Sequence, residues 1–312
     1  IGILIFTAVI FLPSLNYGFV NWDDDLNILE NANLNAFDFE HIKGIFTSTV
    51  IGNYNPLPIF TFAVEKAIFG LDATVFHLNN ILLHLVCVFF IYRIVLAMGM
   101  SKMSAVLVAL LFGLHPMRTE SVVWITERKD VLFGAFYLAA MFTYIQYLKT
   151  EKQKQYFLTL ILFVFALFSK IQAVALPLSM VVLDYYFNKP QRWKLVPFFV
   201  LSAITGFAGV VFLGEDGSLD DATKYSFFER LLVGDFSYFT YLVKWIFPFE
   251  MSPLYPYPKV LTWGFYAAPL STLVVGFLIY RAYKNQNRHV FFGLAFFTFN
   301  VMFVLQILGA GQ

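Results

Sequence analysis

Three consecutive carboxylates, Asp23, Asp24 and Asp25, follow the apolar run Ile3 to Leu15 and the interfacial anchor Trp22. A charged side chain within hydrocarbon costs about 2.5–3.5 kcal/mol on insertion scales, so these acids belong at or beyond a membrane interface. There they are either a solvated connector or an acidic centre that faces a lipid-borne substrate. A second ionisable stretch reads His115-Pro116-Met117-Arg118-Thr119-Glu120 and continues to Glu127-Arg128-Lys129-Asp130. Spacings of seven and three place Glu120, Glu127 and Asp130 near one helical face, with Arg128 beside them in sequence. An interfacial helix with ordinary charge pairs is the plainer alternative. Lys170 closes another apolar run in Phe168-Ser169-Lys170. Its ammonium can snorkel to the interface, or it can neutralise charge that grows on a departing lipid phosphate.

The elements that must hold these groups are membrane helices. The chain has 312 residues, of which 59% are hydrophobic and 13% charged, with 39 Phe, and no ordinary soluble domain has that balance. A net charge of +1 leaves no basic face for nucleic acid. The lone Cys87 allows no internal disulfide and no cysteine metal cluster, and reads as packing. The sequence opens at Ile1 without methionine and stops at Gln312 shortly after a long apolar run. We therefore expect a fragment, a single transmembrane domain over 1–312 whose C-terminal continuation is missing.

Apolar runs fall near 1–18, 75–98, 102–117, 130–148, 155–170, 172–188, 195–213, 264–283 and 289–308. The expected fold is all-α and polytopic, with about nine or more spans; the third, fifth and sixth runs are short, which suggests tilted or sheltered helices. Alternate loops carry Arg93 and Lys102, then Lys149, Lys152 and Lys154, then Lys189, Arg192 and Lys194, then Arg281, Lys284 and Arg288, against the acid Glu151. The positive-inside rule puts those loops in the cytoplasm and residues 19–73, 115–130 and 215–262 on the other face. The loop 19–73 is too long for a connector, and Phe37, Ile42, Ile45 and Phe46 predict an amphipathic interfacial helix within it. Residues 225–262, ending in Ser252-Pro253-Leu254-Tyr255-Pro256-Tyr257-Pro258, read as an amphipathic or re-entrant piece. Asp184 lies toward the cytoplasmic end and reads as structural. His77 and His84, with Asn79 and Asn80, read as polar contacts between helices.

In order, FVNWDDD, YNPLPIFTF, FHLNNILLH, HPMRTESVVWITERKD, LFSK with LPLSMVVLDYY, and SPLYPYP resemble the C-type (GT-C) membrane glycosyltransferases. The nearest branch is the transmembrane, tetratricopeptide-repeat O-mannosyltransferases and their bacterial relatives. The resemblance implies a GT-C bundle with a long helical first outer loop, and Asp23 and Asp24 as the acidic pair that supplies the catalytic carboxylate. It implies that the family's His-Pro, Thr-Glu and Arg-x-Asp elements fall on His115, Pro116, Thr119, Glu120, Arg128 and Asp130. We expect Asp24 as the base with Asp23 and Glu120 supporting it, and Arg128, Lys170, His115, Asp130 and Asn55 binding substrate.

The implied reaction moves a sugar from a polyprenyl-phosphate donor to a hydroxyl, with a protein or glycan as acceptor. A single in-line displacement would invert the anomeric centre. A divalent metal held by Asp and Glu is compatible with this chemistry, although a monophosphate donor does not require one. The implied setting is a bacterial inner membrane with a periplasmic site, or the endoplasmic reticulum with a lumenal one. A lipid or polysaccharide flippase is the rival, but charges gathered at one face favour interfacial chemistry over a path through the bundle.

Overall fold

The computed structural model describes residues 1–215, 225–252, 255–256, 258–305 and 307. Apart from an isolated bridge between Val50 and Asn53, these residues form helices, turns and loops. The chain divides into two compact units, Ile1–Ala173 and Val174–Gln312.

The first unit opens with α1 (Gly2–Phe11), continued by a 3-10 turn over Leu12–Asn16 where Pro13 cannot extend the α-helical ladder. Ile5, Phe6, Val9 and Ile10 lie open on α1, a surface that suits lipid. The long first loop then winds through a π-helical turn (Asp25–Leu29), a 3-10 turn (Ala32–Leu34), α2 (Phe39–Thr47) and α3 (Pro56–Phe69). Asp38 caps α2 by accepting from the His41 amide at 3.0 Å. Pro56 starts α3 where its missing N–H is harmless, and Gly70, at φ 68°, ends it. Ile28, Leu34, Ile45, Ile59, Phe62, Phe76 and Ile125 are buried in one apolar cluster, with Phe46 packed against it. The helix expected at the membrane interface thus turns Ile45 and Phe46 toward the protein, and the loop is folded down as a packed cap.

Under this cap lie α4 (Ala73–Ala97), α5 (Lys102–Leu114), the short α6 (Arg118–Val123), α7 (Arg128–Thr150) and α8 (Gln153–Ser169). At about 1.5 Å per residue, α4 and α7 each exceed the ~30 Å of a bilayer core, whereas α5 falls short of it. Small residues let these helices approach. A Cβ added at Gly134 of α7 would lie 3.2 Å from Cys87 Sγ, and one at Gly113 of α5 would lie 2.9 Å from Thr7 Oγ1. Cys87 is buried in this contact, as a packing residue should be. The Thr143 and Thr159 hydroxyls, 2.9 Å apart, join α7 to α8.

The second unit comprises α9 (Leu176–Phe187), α10 (Val196–Glu215), α11 (Phe227–Ile246), α12 (Trp263–Ala267), α13 (Pro269–Lys284) and α14 (Arg288–Val301). Four stretches among the described residues are long and apolar enough to cross a membrane: α4, α7, α10, and α12 with α13. The other expected spans are shorter apolar helices, and α14 ends at Val301. The all-α membrane architecture therefore holds, with four full-length stretches among the described residues beside the nine apolar runs.

Helix α11 is amphipathic as expected. A reciprocal cap between Ser226 and Glu229 starts it, Leu232, Val233 and Tyr238 are buried, and Phe239, Trp245 and Ile246 are exposed. Residues 216–224, Pro253, Leu254 and Tyr257 lie outside the described residues, so the SPLYPYP segment is described only in part. Asp184 is buried and accepts from the Gln191 amide at 2.7 Å, which closes the turn after α9. That is the structural role its position suggests.

Candidate active site

The site lies in the first unit, where the long first loop meets the start of α7. Asp24 just precedes the π-helical turn, and its side chain points inward. It is 1% exposed, and its carboxylate accepts from the Val20 amide at 2.9 Å, from Trp124 Nε1 at 3.1 Å and from the Thr126 amide at 3.2 Å. Asp23 points the other way and keeps 26% of its side-chain surface open, with an oxygen 3.8 Å from Lys129 Nζ.

Lys129 also pairs with Glu127 at 2.8 Å. Lys170, at the end of α8, reaches Glu127 at 3.7 Å and forms a direct pair with Asp130. The Ser121 hydroxyl donates to the other Asp130 oxygen at 2.9 Å. Asp23, Lys129, Glu127, Lys170 and Asp130 thus form one chain of alternating charges. Glu120, on the short α6, stands beside it. Partial burial and the carboxylates of Glu127 and Asp130 push its acid up to about 6, against the pull of Lys170 and Lys129.

Arg128 lies on the opposite side of α7 and is fully buried. Its Nε donates to Asn80 Oδ1 at 2.6 Å, Nη2 donates to the Phe76 carbonyl at 2.7 Å, and Nη1 donates to Thr61 Oγ1 at 3.2 Å and to Glu65. The guanidinium carbon sits 4.7 Å from the Phe62 ring centre. Burial pushes the Glu65 carboxyl up even though Arg128 and Asn79 favour its charged form. Asn79 donates to Glu65 at 2.8 Å, and Asn80 donates to the Trp124 carbonyl at 3.1 Å.

Of the residues singled out from sequence, Asp23, Glu120, Asp130 and Lys170 come together. Asp24 and Arg128, expected to touch substrate, are turned inward beneath them. His115 ends α5, and its Nδ1 accepts from the Met117 amide at 3.2 Å in the turn before α6. Asn55 lines a small recess with Asn27, Asn33, Ser48 and Asn53, and none of the ionic residues lines it. Sequence reasoning did not single out Lys129, Glu65, Trp124 or Thr126 as functional. Glu65 carried a usable signal, a lone acid inside the apolar stretch of α3. Among the described residues, no three His, Cys, Asp or Glu side chains are grouped to hold a metal ion.

Residues 54–213 match the family model described as dolichyl-phosphate-mannose-protein mannosyltransferase. The chain belongs to this family. It is similar to the protein O-mannosyl-transferase Tmtc1 of Drosophila melanogaster, 29% identical over 53% of the chain and 20% of that protein. It is also similar to TMTC3 of Mus musculus, 32% identical over 44% of the chain and 16% of that protein, and to TMTC1 of Homo sapiens, 35% identical over 33% and 12%. These matches span a fifth or less of the relatives' own lengths. No solved structure matches the chain. As a family member with long apolar helices, the chain is an integral membrane protein.

Proposed function

We propose that this mannosyltransferase-family chain moves mannose from a polyprenyl-phosphate donor to a hydroxyl of a protein, at the non-cytoplasmic face of its membrane. The hydroxyl oxygen bonds to the anomeric carbon as the bond from that carbon to the phosphate oxygen breaks. The phosphate leaves on the polyprenyl chain, the acceptor proton passes to a carboxylate, and the anomeric configuration inverts. The observation that carries this reading is Asp23, half-open and placed beside Lys129 at one end of the ionic chain. A base must be within reach of a hydroxyl, and the exposure of Asp23 supports it in that role over the buried Asp24.

Lys129 and Lys170 are the cations for the departing phosphate, because both sit at the open side of the site while Arg128 has its donors engaged within the protein. Glu120, with its raised affinity for a proton, stands beside them as an auxiliary acid. Asp130 orients Lys170, His115 shapes the turn into α6, and Asn55 starts α3, which carries Glu65. A protein acceptor accords with the names of the relatives, and the acid-rich loops support a site on the periplasmic or lumenal side. Two lysines suffice for a monophosphate leaving group, so the reading needs no metal.

The test supplies full-length protein in lipid nanodiscs with polyprenyl-phosphate mannose and a Ser/Thr peptide, and reads the product by mass and by NMR of its anomeric carbon. We expect a mannosylated peptide of opposite anomeric configuration to the donor. Release of free mannose alone, or a product with retained configuration, would contradict the mechanism.

A further inference from the structure

The residues from Glu127 to Asp130 divide their side chains between two surroundings. Glu127, Lys129 and Asp130 join the outer ionic chain. Arg128, between them, points into the protein and binds side chains or carbonyls on two other helices: Thr61 and Glu65 on α3, Phe76 and Asn80 on α4. The same Asn80 holds the Trp124 and Ile125 carbonyls, at 3.1 and 3.3 Å. Trp124 and Thr126 in turn hold Asp24, whose neighbour is Asp23. A continuous set of buried hydrogen bonds therefore runs from Glu65 through Arg128 and Asn80 to the acidic loop, beneath both ends of the Asp23 and Lys129 pair.

We propose that Arg128 is a positioning residue, whose buried guanidinium pins the first turn of α7 to α3 and α4 and so sets the distance between Asp23 and Lys129. A planar group with donors fixed in direction is suited to this, since each of its three nitrogens binds a different neighbour and any rotation of α7 breaks at least one bond. The group does not meet substrate. It acts through the residues on either side of it, and the catalytic half of this inference rests on the transferase reading.

The test has one arm that needs no activity. In full-length protein carrying Cys87→Ser, thiols introduced by Asp23→Cys and Lys129→Cys are bridged with a short bifunctional methanethiosulfonate, with Arg128 intact and with Arg128→Met. Bridging should slow about tenfold without Arg128. In an otherwise native background, Arg128→Met should lower kcat for peptide mannosylation about tenfold or more with little change in KM, and Arg128→Lys should recover part of it. If Arg128→Met does not fold, the pair Glu65→Met with Arg128→Met removes both charges together and is read in the same way. Unchanged bridging in a folded protein that lacks Arg128 would overturn the proposal. Arg128-dependent bridging in a protein that never transfers mannose would sustain the positioning role and sink the transferase reading instead.

Discussion

Asp23 and Asp24 are chain neighbours with opposite surroundings, and the same division separates Arg128 from Glu127, Lys129 and Asp130. The inner set is buried, with the Asp24 and Arg128 side chains anchored by several hydrogen bonds each. The other set is partly open at Asp23, Lys129, Asp130 and Lys170, with Glu127 buried among them, and its lysines and acids hold one another. A buried polar group that loses its partner is costly, whereas an exposed pair contributes little to stability. The inner set should therefore govern folding, and the outer set should be free to exchange partners with a substrate.

The sharpest way to break that comparison is to remove one charge from each layer. Arg128→Met leaves the buried Glu65 without its cation, with Asn79 as its remaining hydrogen-bond donor, and should lower unfolding stability by about 3–5 kcal/mol. Lys129→Met should cost less, about 1 kcal/mol, because the buried Glu127 keeps Lys170 at 3.7 Å. Thermal unfolding of the two variants in detergent measures the gap, and equal losses would erase the distinction between the layers.

Lys170→Gln should slow transfer about 10²-fold while the protein stays folded, because one cation facing the departing phosphate is lost. Single-turnover kinetics with labelled donor would measure it. Asp24→Asn should act on stability, by about 1–3 kcal/mol, since an amide presents only one oxygen to the three donors that the carboxylate satisfies. Denaturant unfolding is the measurement.

Much of the fold was legible because apolar runs of membrane length leave little choice of structure. The amphipathic character of α11 and the packing role of Cys87 could be read the same way, from one segment at a time. The short runs, such as 102–117, were legible as sheltered or tilted helices, and α5 is one of the shorter apolar helices, but the count of full spans was harder to read, since a run such as 1–18 does not say where a proline will end its α-helix. In the site, the acids and Lys170 were legible by charge density at one face. The direction of each side chain was not, because it depends on partners far away in sequence, such as Glu65 for Arg128. Part of this was nonetheless available: residues two apart on a helix differ by about 200°, so Arg128 and Asp130 could not share a face. Asp24 carried no such signal, since its partners Trp124 and Thr126 lie about a hundred residues on.

A gentler probe is pH. The Glu120 acid is raised from an ordinary 4.5 to about 6, so between those values the folded protein holds a proton that the unfolded chain has released. Stability from this group is therefore lost as pH rises through that window. Thermal unfolding between pH 4.5 and 7 should show a shallower decline for Glu120→Gln than for the native protein. The smallest expected effect is that of chelation. Transfer should be unchanged after EDTA treatment if, as proposed, two lysines neutralise the phosphate of a monophosphate donor.

The two neighbouring acids supply the most direct test of the account. Purified Asp23→Asn and Asp24→Asn proteins, each checked for folding, would be assayed for mannose transfer from polyprenyl-phosphate mannose to a Ser/Thr peptide. We predict that Asp23→Asn unfolds at the native temperature and loses about 10²–10⁴-fold in transfer rate. We predict that Asp24→Asn unfolds earlier and retains most of its transfer while folded. Transfer at the native rate by Asp23→Asn, beside a fully folded but inactive Asp24→Asn, would contradict the assignment of the open carboxylate as the base.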